Sequence, residues 1–176
     1  MDFLSKGVFT TFDAPGAFLT YVFGTNSEGD LVGTHFDVDP AHSAAFVLSK
    51  GQFTTLLYGT RQNEAHGINA RGDVVGWFFG FFQGTHGFLL SQGTFSAIDV
   101  PSANFTNALG INARGDIVGV YGDAAGTHGF LLSGGAYSTI DPPGSIYTQA
   151  NGINTRGDIV GNYSNATGGH AFLLSN

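Results

Sequence analysis

Four side chains of metal-binding type lie close together near position 40 of the 176-residue chain. His35, Asp37, Asp39 and His42 place two imidazoles and two carboxylates within one short segment. Nitrogen and oxygen donors of these kinds bind divalent metal ions. The segment therefore predicts a metal site, although Asp and Pro are also ordinary turn residues.

An aromatic run follows near position 80. It reads Trp-Phe-Phe-Gly-Phe-Phe and begins at Trp77, the only tryptophan of the chain. A strand that continues to Phe79 buries part of this run and leaves the rest as an exposed apolar patch. Because such patches bind partners or mediate self-association, we predict a binding or interface role for Trp77 and Phe79.

The second half of the chain contributes polar and stacking groups in the corresponding loops. They are Tyr121, Asp123, Asn162, Tyr163 and Asn165. Hydrogen-bonding amides beside aromatic rings suit a sugar ligand, and solvated loops contain the same residue types. Both interpretations stay open from the sequence.

These residues lie in a chain that repeats itself. GINARGDVVG, GINARGDIVG and GINTRGDIVG begin at Gly67, Gly110 and Gly152, and a diverged copy, GTNSEGDLVG, begins at Gly24. Each copy continues to FLLS or FVLS and then, in most copies, to an aromatic strand such as TFSAID. A period of roughly 40 residues indicates one supersecondary unit that is copied and packed against its neighbours.

Each unit has the pattern of four short antiparallel strands followed by a long crossover. A four-stranded meander of this kind is typical of a β-propeller blade. We therefore predict an all-β fold over residues 1–176, a four-bladed β-propeller of four-stranded antiparallel blades. The predicted blades span 20–57, 63–99, 106–141 and 148–175, and the last includes 8–13.

The N-terminal strand is predicted to close the ring. The segment GVFTTFDAPG, from Gly7, matches GTFSAIDVPS and GAYSTIDPPG, which contain the fourth strands of the second and third units. It can therefore complete the last blade, which otherwise has three strands and an open edge. The residues before Gly7 resemble a spare third strand, which fits either a longer array or a larger ring made of two copies.

The innermost strands carry a second set of candidate binding residues. One place before each repeated glycine are Phe23, His66, Leu109 and Asn151, and three places before it are Tyr21, Glu64, Asn107 and Gln149. Alternation puts both sets on one strand face. Positions that differ in every blade predict either the irregular lining of a central channel or a ligand pocket, with Arg61 near it in sequence.

Two recurring motifs are assigned structural roles. Arg-Gly-Asp occurs at residues 71–73, 114–116 and 156–158, but Glu28 replaces the arginine in the first unit while Gly-Asp persists. The motif therefore predicts a hairpin turn, with Asp pairing with the turn amides, rather than an integrin ligand.

The repeated histidines and the aspartates before the crossover prolines are interpreted in the same way. His86, His128 and His170 share a strand face with core phenylalanines and are predicted to be hydrogen-bonded structural residues. The three aspartates are predicted to initiate turns. They are Asp13, Asp99 and Asp141.

The combination of Gly-Ile-Asn, Gly-Asp-Ile-Val-Gly and His-Ala-Phe-Leu at His170–Leu173 resembles the HAF-type repeat, a roughly 40-residue unit of bacterial extracellular proteins. The resemblance covers nearly the whole chain and is weakest in the first unit, where Ala44 replaces the histidine. It implies a propeller-like fold and an exported setting, and it implies no activity.

Composition excludes several classes of partner and chemistry. Six basic residues and a net charge of −7 argue against nucleic acid and against an anionic membrane surface. The absence of cysteine excludes disulfides and thiolate catalysis. No segment approaches the roughly 20 apolar residues of a membrane span, and none has the pattern of a signal peptide. We expect an extracellular or periplasmic location with the leader absent, and a cytoplasmic one stays open.

These features favour a non-catalytic recognition module that binds a small molecule, a carbohydrate or a protein on its variable loop face. The predicted ligand-binding residues are Tyr21, Phe23, Arg61, Glu64, His66, Trp77, Phe79, Asn107, Tyr121, Gln149, Asn151 and Tyr163. The alternatives are a metal-dependent hydrolase or lyase at the channel mouth, with Glu64 or His66 moving protons, and a structural or adhesive repeat unit. No cofactor is predicted beyond a divalent or monovalent ion in the channel, and homo-oligomers are compatible with the pattern.

Overall fold

The computed structural model describes residues 9–37, 43–58, 62–80 and 84–175. These residues form fifteen strands and no helix, so the all-β prediction is confirmed.

The first unit contains β1 (Leu19–Thr25), β2 (Leu31–Phe36), β3 (Ser43–Ser49) and β4 (Gln52–Leu56). The second contains β5 (Asn63–Ile68), β6 (Val74–Gly80), β7 (Gly84–Ser91) and β8 (Thr94–Ile98). The third contains β9 (Phe105–Ile111), β10 (Ile117–Gly122), β11 (Thr127–Ser133) and β12 (Ala136–Ile140). The fourth contains β13 (Tyr147–Ile153), β14 (Ile159–Asn165) and β15 (Gly168–Leu174).

Within each unit, consecutive strands pair in antiparallel order. The first and second units are separate four-stranded sheets. The third and fourth units join into one seven-stranded sheet through a single parallel pairing, between Thr127 of β11 and Tyr147 of β13. None of these sheets closes on itself.

The repeated hairpin turn is formed by its asparagine. In the second unit, the Asn69 Oδ1 accepts hydrogen bonds from the backbone N–H groups of Arg71 and Asp73, at 2.9 and 3.1 Å. Gly72 follows in the left-handed region, with φ of 81°, where a side chain is strained. The hairpin turn is therefore as predicted, but the prediction that the aspartate accepts the turn amides is wrong, because the asparagine carbonyl already occupies them.

Each innermost strand contains a β-bulge at the same place. The ladders skip one residue just before the repeated glycine, and the extra residues are Phe23, His66, Leu109 and Asn151. A bulge inserts one unpaired residue and re-aims its side chain. The four residues therefore leave the regular alternation of the sheet together.

The repeated glycines allow neighbouring units to approach closely. A Cβ placed on Gly67 would lie 3.2 Å from the Cα of Gly110, and one on Gly110 would lie 3.1 Å from the Cα of Gly152. Such separations are tighter than ordinary van der Waals contact. Glycine in the GIN motif is thus a packing requirement between innermost strands.

The core lies between units rather than within one sheet. Phe46, Phe88 and Phe130 hold the same repeat position and are fully buried. Each of three hydrophobic clusters combines side chains of two neighbouring units. The innermost strand of each later unit packs on the first three strands of the unit before it. One unit alone cannot bury its apolar faces, as expected of a repeat protein.

The two ends of the array do not meet in the described residues. No packing of this kind joins strands of the first unit to strands of the fourth. Residues 9–13 form no strand, Phe9 is fully exposed, and β15 has β14 as its sheet neighbour. Residues 9–13 do not form the predicted pairing with the fourth unit, and residue 8 lies outside the described residues.

Candidate functional site

The innermost strands β1, β5, β9 and β13 present a shared row of side chains, which we call the inner-strand surface. It comprises the bulge residues and the residues two places before them, namely Tyr21, Phe23, Glu64, His66, Asn107, Leu109, Gln149 and Asn151. Contacts between residues two places apart in β1, β5 and β13 show that the two predicted sets share a face in these three strands.

One half of this surface is aromatic. The rings of Phe23 and His66 stack, with centroids 4.4 Å apart and planes within 9°, and Tyr21 stacks beside Phe23 at 6.5 Å. Tyr21 and Phe23 are 48% and 45% exposed, so part of each side chain remains accessible to a ligand. Tyr21 is held at its other side by an edge contact with Phe36.

Beside the aromatic pair lies a partly buried acid–imidazole pair. The His66 Nε2 and the Glu64 Oε2 are 3.0 Å apart, and each side chain is about four-fifths buried. Trp77 in β6 is the ladder partner of Glu64, so both side chains extend from the same face of the sheet. The structure therefore brings together Glu64, His66 and Trp77, three of the residues predicted to bind a ligand.

The other half of the surface is a row of amides. The Tyr147 hydroxyl donates to the Gln149 Oε1 at 2.5 Å, and the Gln149 Nε2 donates to the Asn151 Oδ1 at 2.7 Å. The Asn107 Oδ1 is buried and has no hydrogen-bond partner. A buried carbonyl without a donor is costly, and a ligand hydroxyl or a water would satisfy it.

Other predicted binding residues lie apart from this surface. Tyr121 is buried in the cluster between the second and third units, and its hydroxyl is 2.9 Å from the Thr139 Oγ1. The ring of Tyr163 makes a tilted contact with His170, with centroids 5.0 Å apart, and lines a shallow depression of about 390 Å³ on the fourth unit. Phe79 is 44% exposed at the end of β6. Arg61 lies outside the described residues.

The predicted metal cluster is described only in part. The His35 Nδ1 lies 3.8 Å from the Asp37 Oδ1 and has no hydrogen-bond partner, although it is buried. Asp39 and His42 lie outside the described residues. Within the described ranges, no three His, Cys, Asp or Glu side chains gather in a metal-binding cluster. The metal site stays a prediction.

The outer strands contain histidine–aspartate pairs that the sequence interpretation missed. His86 Nδ1 lies 2.8 Å from Asp99 Oδ1, and His128 Nδ1 lies 2.6 Å from Asp141 Oδ2. The histidines are hydrogen-bonded as predicted, but these aspartates bind histidine in addition to leading into the crossover. The first unit has Ala44 and Leu57 at the two positions. The joint replacement of both residues in the first unit was the sequence signal from which the histidine–aspartate pairing could have been predicted.

The opposite end of the molecule is occupied by internal contacts. In the third unit, the Ser133 hydroxyl, the Asn112 amide and the Arg114 guanidinium all donate to Asp116 and hold the pKa of its carboxyl below the ordinary value. Burial raises the pKa of Asp73 in the second unit, but the hydrogen bonds to its carboxyl lower that pKa by more. The pKa of Asp73 is therefore also below the ordinary value. The Arg-Gly-Asp side chains are therefore engaged within and between turns.

No protein-family model matches the chain, and no curated protein is similar to it in sequence. None of the described residues belongs to a helix long and apolar enough to cross a membrane. The functional argument consequently depends on the geometry of the inner-strand surface.

Proposed function

We propose that this protein is a non-catalytic recognition module that binds a carbohydrate on the inner-strand surface. The observation that carries the proposal is the pair of half-exposed aromatic side chains, Tyr21 and Phe23, next to polar groups on adjacent strands. An aromatic face attracts the positively polarised C–H groups of a sugar ring, as it attracts other positive edges. Binding sites of this type combine apolar contact with a few placed hydrogen-bonding groups.

The polar groups favour a neutral, hydroxyl-rich ligand. Glu64 and the Asn107 Oδ1 accept hydrogen bonds, and the amide of Gln149 both donates and accepts. The described part of the surface has no Lys or Arg, and the chain has a net charge of −7, so a phosphorylated or otherwise anionic ligand is disfavoured. A carbohydrate fits this combination better than a nucleotide or an acidic peptide.

We also propose that the four units are β-propeller blades and that residues 8–13 supply the outer strand of a fourth unit, in the same chain or in another copy. Asp13 holds the repeat position of Asp99 and Asp141, the partners of His86 and His128. The fourth unit keeps its histidine, His170, but has no fourth strand to provide the aspartate. A strand over 8–13 would bring Asp13 to it.

The proposed setting is extracellular or periplasmic, in keeping with the resemblance to the bacterial HAF-type repeat. A second function, hydrolysis or elimination at the same surface, is favoured by one observation, the 3.0 Å contact between Glu64 and His66. Carboxylate and imidazole can exchange a proton at this distance. Loss of a detected turnover in Glu64→Gln, with glycan affinity retained, would assign that role.

A glycan array followed by titration calorimetry tests the recognition proposal. We expect at least one glycan to bind and Phe23→Ala to weaken its affinity about tenfold, equivalent to roughly 1.4 kcal/mol. Phe18→Ala is the matched control, because Phe18 is 72% exposed and lies outside the inner-strand surface. The proposal fails if no glycan binds, or if both variants bind equally well.

A further inference from the structure

The two ends of the array expose positions that are buried at every internal junction. Val160 of β14 is 49% exposed, whereas Val32, Val75 and Val118 at the same repeat position are fully buried against the next unit. Leu173 beside it is 65% exposed. We call Val160, Leu173, Asn154 and Arg156 the leading face of the fourth unit.

The first unit exposes the complementary half. Val22 is 41% exposed, whereas Ala65, Ala108 and Ala150 at its repeat position are fully buried against the preceding unit. We call Val22, Asn26, Ser27 and Glu28 the trailing face of the first unit. The leading and trailing faces are thus the two sides of a junction that the molecule already makes three times.

The internal junctions show how these faces join. The Asn26 Nδ2 donates to the Asn69 carbonyl at 3.1 Å, Asn69 donates to the Asn112 carbonyl at 3.2 Å, and Asn112 donates to the Asn154 carbonyl at 3.2 Å. At the end of the series, the described hydrogen bond of the Asn154 Nδ2 is to Asp158 in its own turn. For Asn154 to continue this series of asparagine-to-carbonyl hydrogen bonds, another unit with a turn like that of Asn26 would have to lie next to it.

The arginines follow the same direction. The Arg71 Nη1 donates to the Ala113 carbonyl at 2.6 Å, and the Arg114 Nη1 donates to the Thr155 carbonyl at 3.2 Å. Arg156 is 81% exposed, and the described hydrogen bonds of its side chain are to Asp158 in the same turn. Its repeat-equivalent acceptor is the carbonyl of Ser27.

Charge complementarity identifies the trailing face as the partner of Arg156. At the junction of the second and third units, a Cβ on Gly115 would lie 3.1 Å from the Arg71 Nη2, so the guanidinium reaches the next turn beside Arg114. The first unit has the exposed Glu28 at the position of Arg114. A junction between the fourth and first units would therefore pair Arg156 with a carboxylate.

In the described residues, the fourth unit of the same chain does not pack on the entry into the first unit. The Ala14 N–H donates to the Thr20 Oγ1 at 3.0 Å, as the Val100 N–H donates to the Thr106 Oγ1 at 3.1 Å. This shared crossover puts residues 9–13 where the last strand of a preceding unit would lie. No described unit of the same chain packs there. The four units, joined by three similar junctions, therefore do not complete a ring within the described residues.

We propose that two copies of this chain associate head to tail. The leading face of each fourth unit packs on the trailing face of the other copy's first unit, and residues 8–13 of each copy extend the other's β15. Asp13 then pairs with His170 of the second copy, and Arg156 with its Glu28. Two such heterologous contacts close a symmetric pair of eight units.

Multi-angle light scattering and native mass spectrometry on the full chain, without added ligand, test this proposal separately from glycan binding. We expect a mass twice the 18.4 kDa of one chain. Arg156→Glu, which would face Glu28, should lower the association constant at least tenfold, and its combination with Glu28→Arg should restore association. Ser138→Glu is a control, because Ser138 is exposed on the outer strand β12 of the third unit and belongs to neither face.

A mass of one chain at every concentration would overturn the proposal, as would an Arg156→Glu variant that associates like the wild type. A folded monomer whose histidine signals show His170 bonded to Asp13 would also overturn it, because the strand would then close its own fourth unit. Far-ultraviolet circular dichroism on each variant distinguishes lost association from lost folding.

Discussion

At the residue scale, the side chains that distinguish the units are the bulge residues and their neighbours two places earlier. The bulge recurs in all four innermost strands, while its residue changes from Phe to His, Leu and Asn. The backbone is therefore constant where the chemistry varies. That combination is what a rigid scaffold with a site adapted to one ligand requires.

Asn107 provides the sharpest test at this scale. Its buried Oδ1 has no hydrogen-bond partner, and such a group costs about 1–3 kcal/mol. We expect Asn107→Leu, which removes the carbonyl at similar volume, to raise the free energy of unfolding by about 1 kcal/mol and to weaken glycan binding. Urea denaturation measures the first effect and calorimetry the second. A less stable variant that binds glycan normally would contradict the assignment of Asn107 to the site.

The sequence permitted part of this site to be predicted. The alternation of residues before the repeated glycine was sufficient to place Glu64 with His66 and Gln149 with Asn151. It did not place Trp77 opposite Glu64, because the register between the two strands depends on the bulge. No residue type in the sequence indicates where that bulge lies. The pairing of Asp99 and Asp141 with histidines was missed because aspartate before proline already has a local explanation.

At the element scale, a carboxylate links two turns of the same unit. Asp116 accepts hydrogen bonds from Ser133, Asn112 and Arg114, and its pKa is below the ordinary 3.8. A carboxyl whose pKa is lower in the folded state contributes stability above pH 3.8. That contribution is lost as the pH falls through the folded-state pKa.

We therefore expect Ser133→Ala to raise the pKa of Asp116 and to lower the free energy of unfolding by about 1–2 kcal/mol at neutral pH. The difference from wild type should vanish once Asp116 is protonated in both folded states. Carboxyl NMR titration and urea denaturation at the two pH extremes measure these effects. Ser138→Ala, at an exposed serine of β12, is the control. An equal loss of stability at all pH values would contradict this account.

The glycine of each innermost strand is a second element-scale test. A Cβ on Gly110 would meet the Cα of Gly152 at 3.1 Å and the Val118 Cγ2 at 3.1 Å, so Gly110→Ala must separate two units. Overpacking of this kind costs about 1–3 kcal/mol. Gly169→Ala in β15, where a Cβ meets nothing within 4 Å, should leave stability nearly unchanged. Thermal unfolding compares them, and equal midpoints would refute close packing at Gly110.

At the scale of the whole molecule, the repeat predicted the strands and their order far better than their closure. Four similar units imply three similar junctions. Because the repeat period gives no angle between units, it does not determine how many units are needed to close a ring. Val160 and Val22 decide this point in the structure, because their exposure identifies the two unpaired halves of the junction.

Deletion of residues 1–13 tests closure at this scale. The truncated chain lacks the strand that would extend β15 and the aspartate that would pair with His170. We expect it to remain folded, because residues 9–13 have no ladder partner within the chain, but to lose association at least tenfold. Light scattering and circular dichroism measure the two properties. A truncated chain that unfolds while monomeric would show that the strand closes its own fourth unit.

The central claim is that ligands bind at the inner-strand surface and not at the Arg-Gly-Asp turns. Titrating the isotopically labelled protein with the best glycan of an array, followed by NMR, tests it most directly. We predict saturable shifts of the His66 ring and Asn107 amide signals, while the side-chain amides of Asn69 and Asn112 stay unchanged. Shifts confined to those turn asparagines, or the absence of any saturable shift, would contradict it.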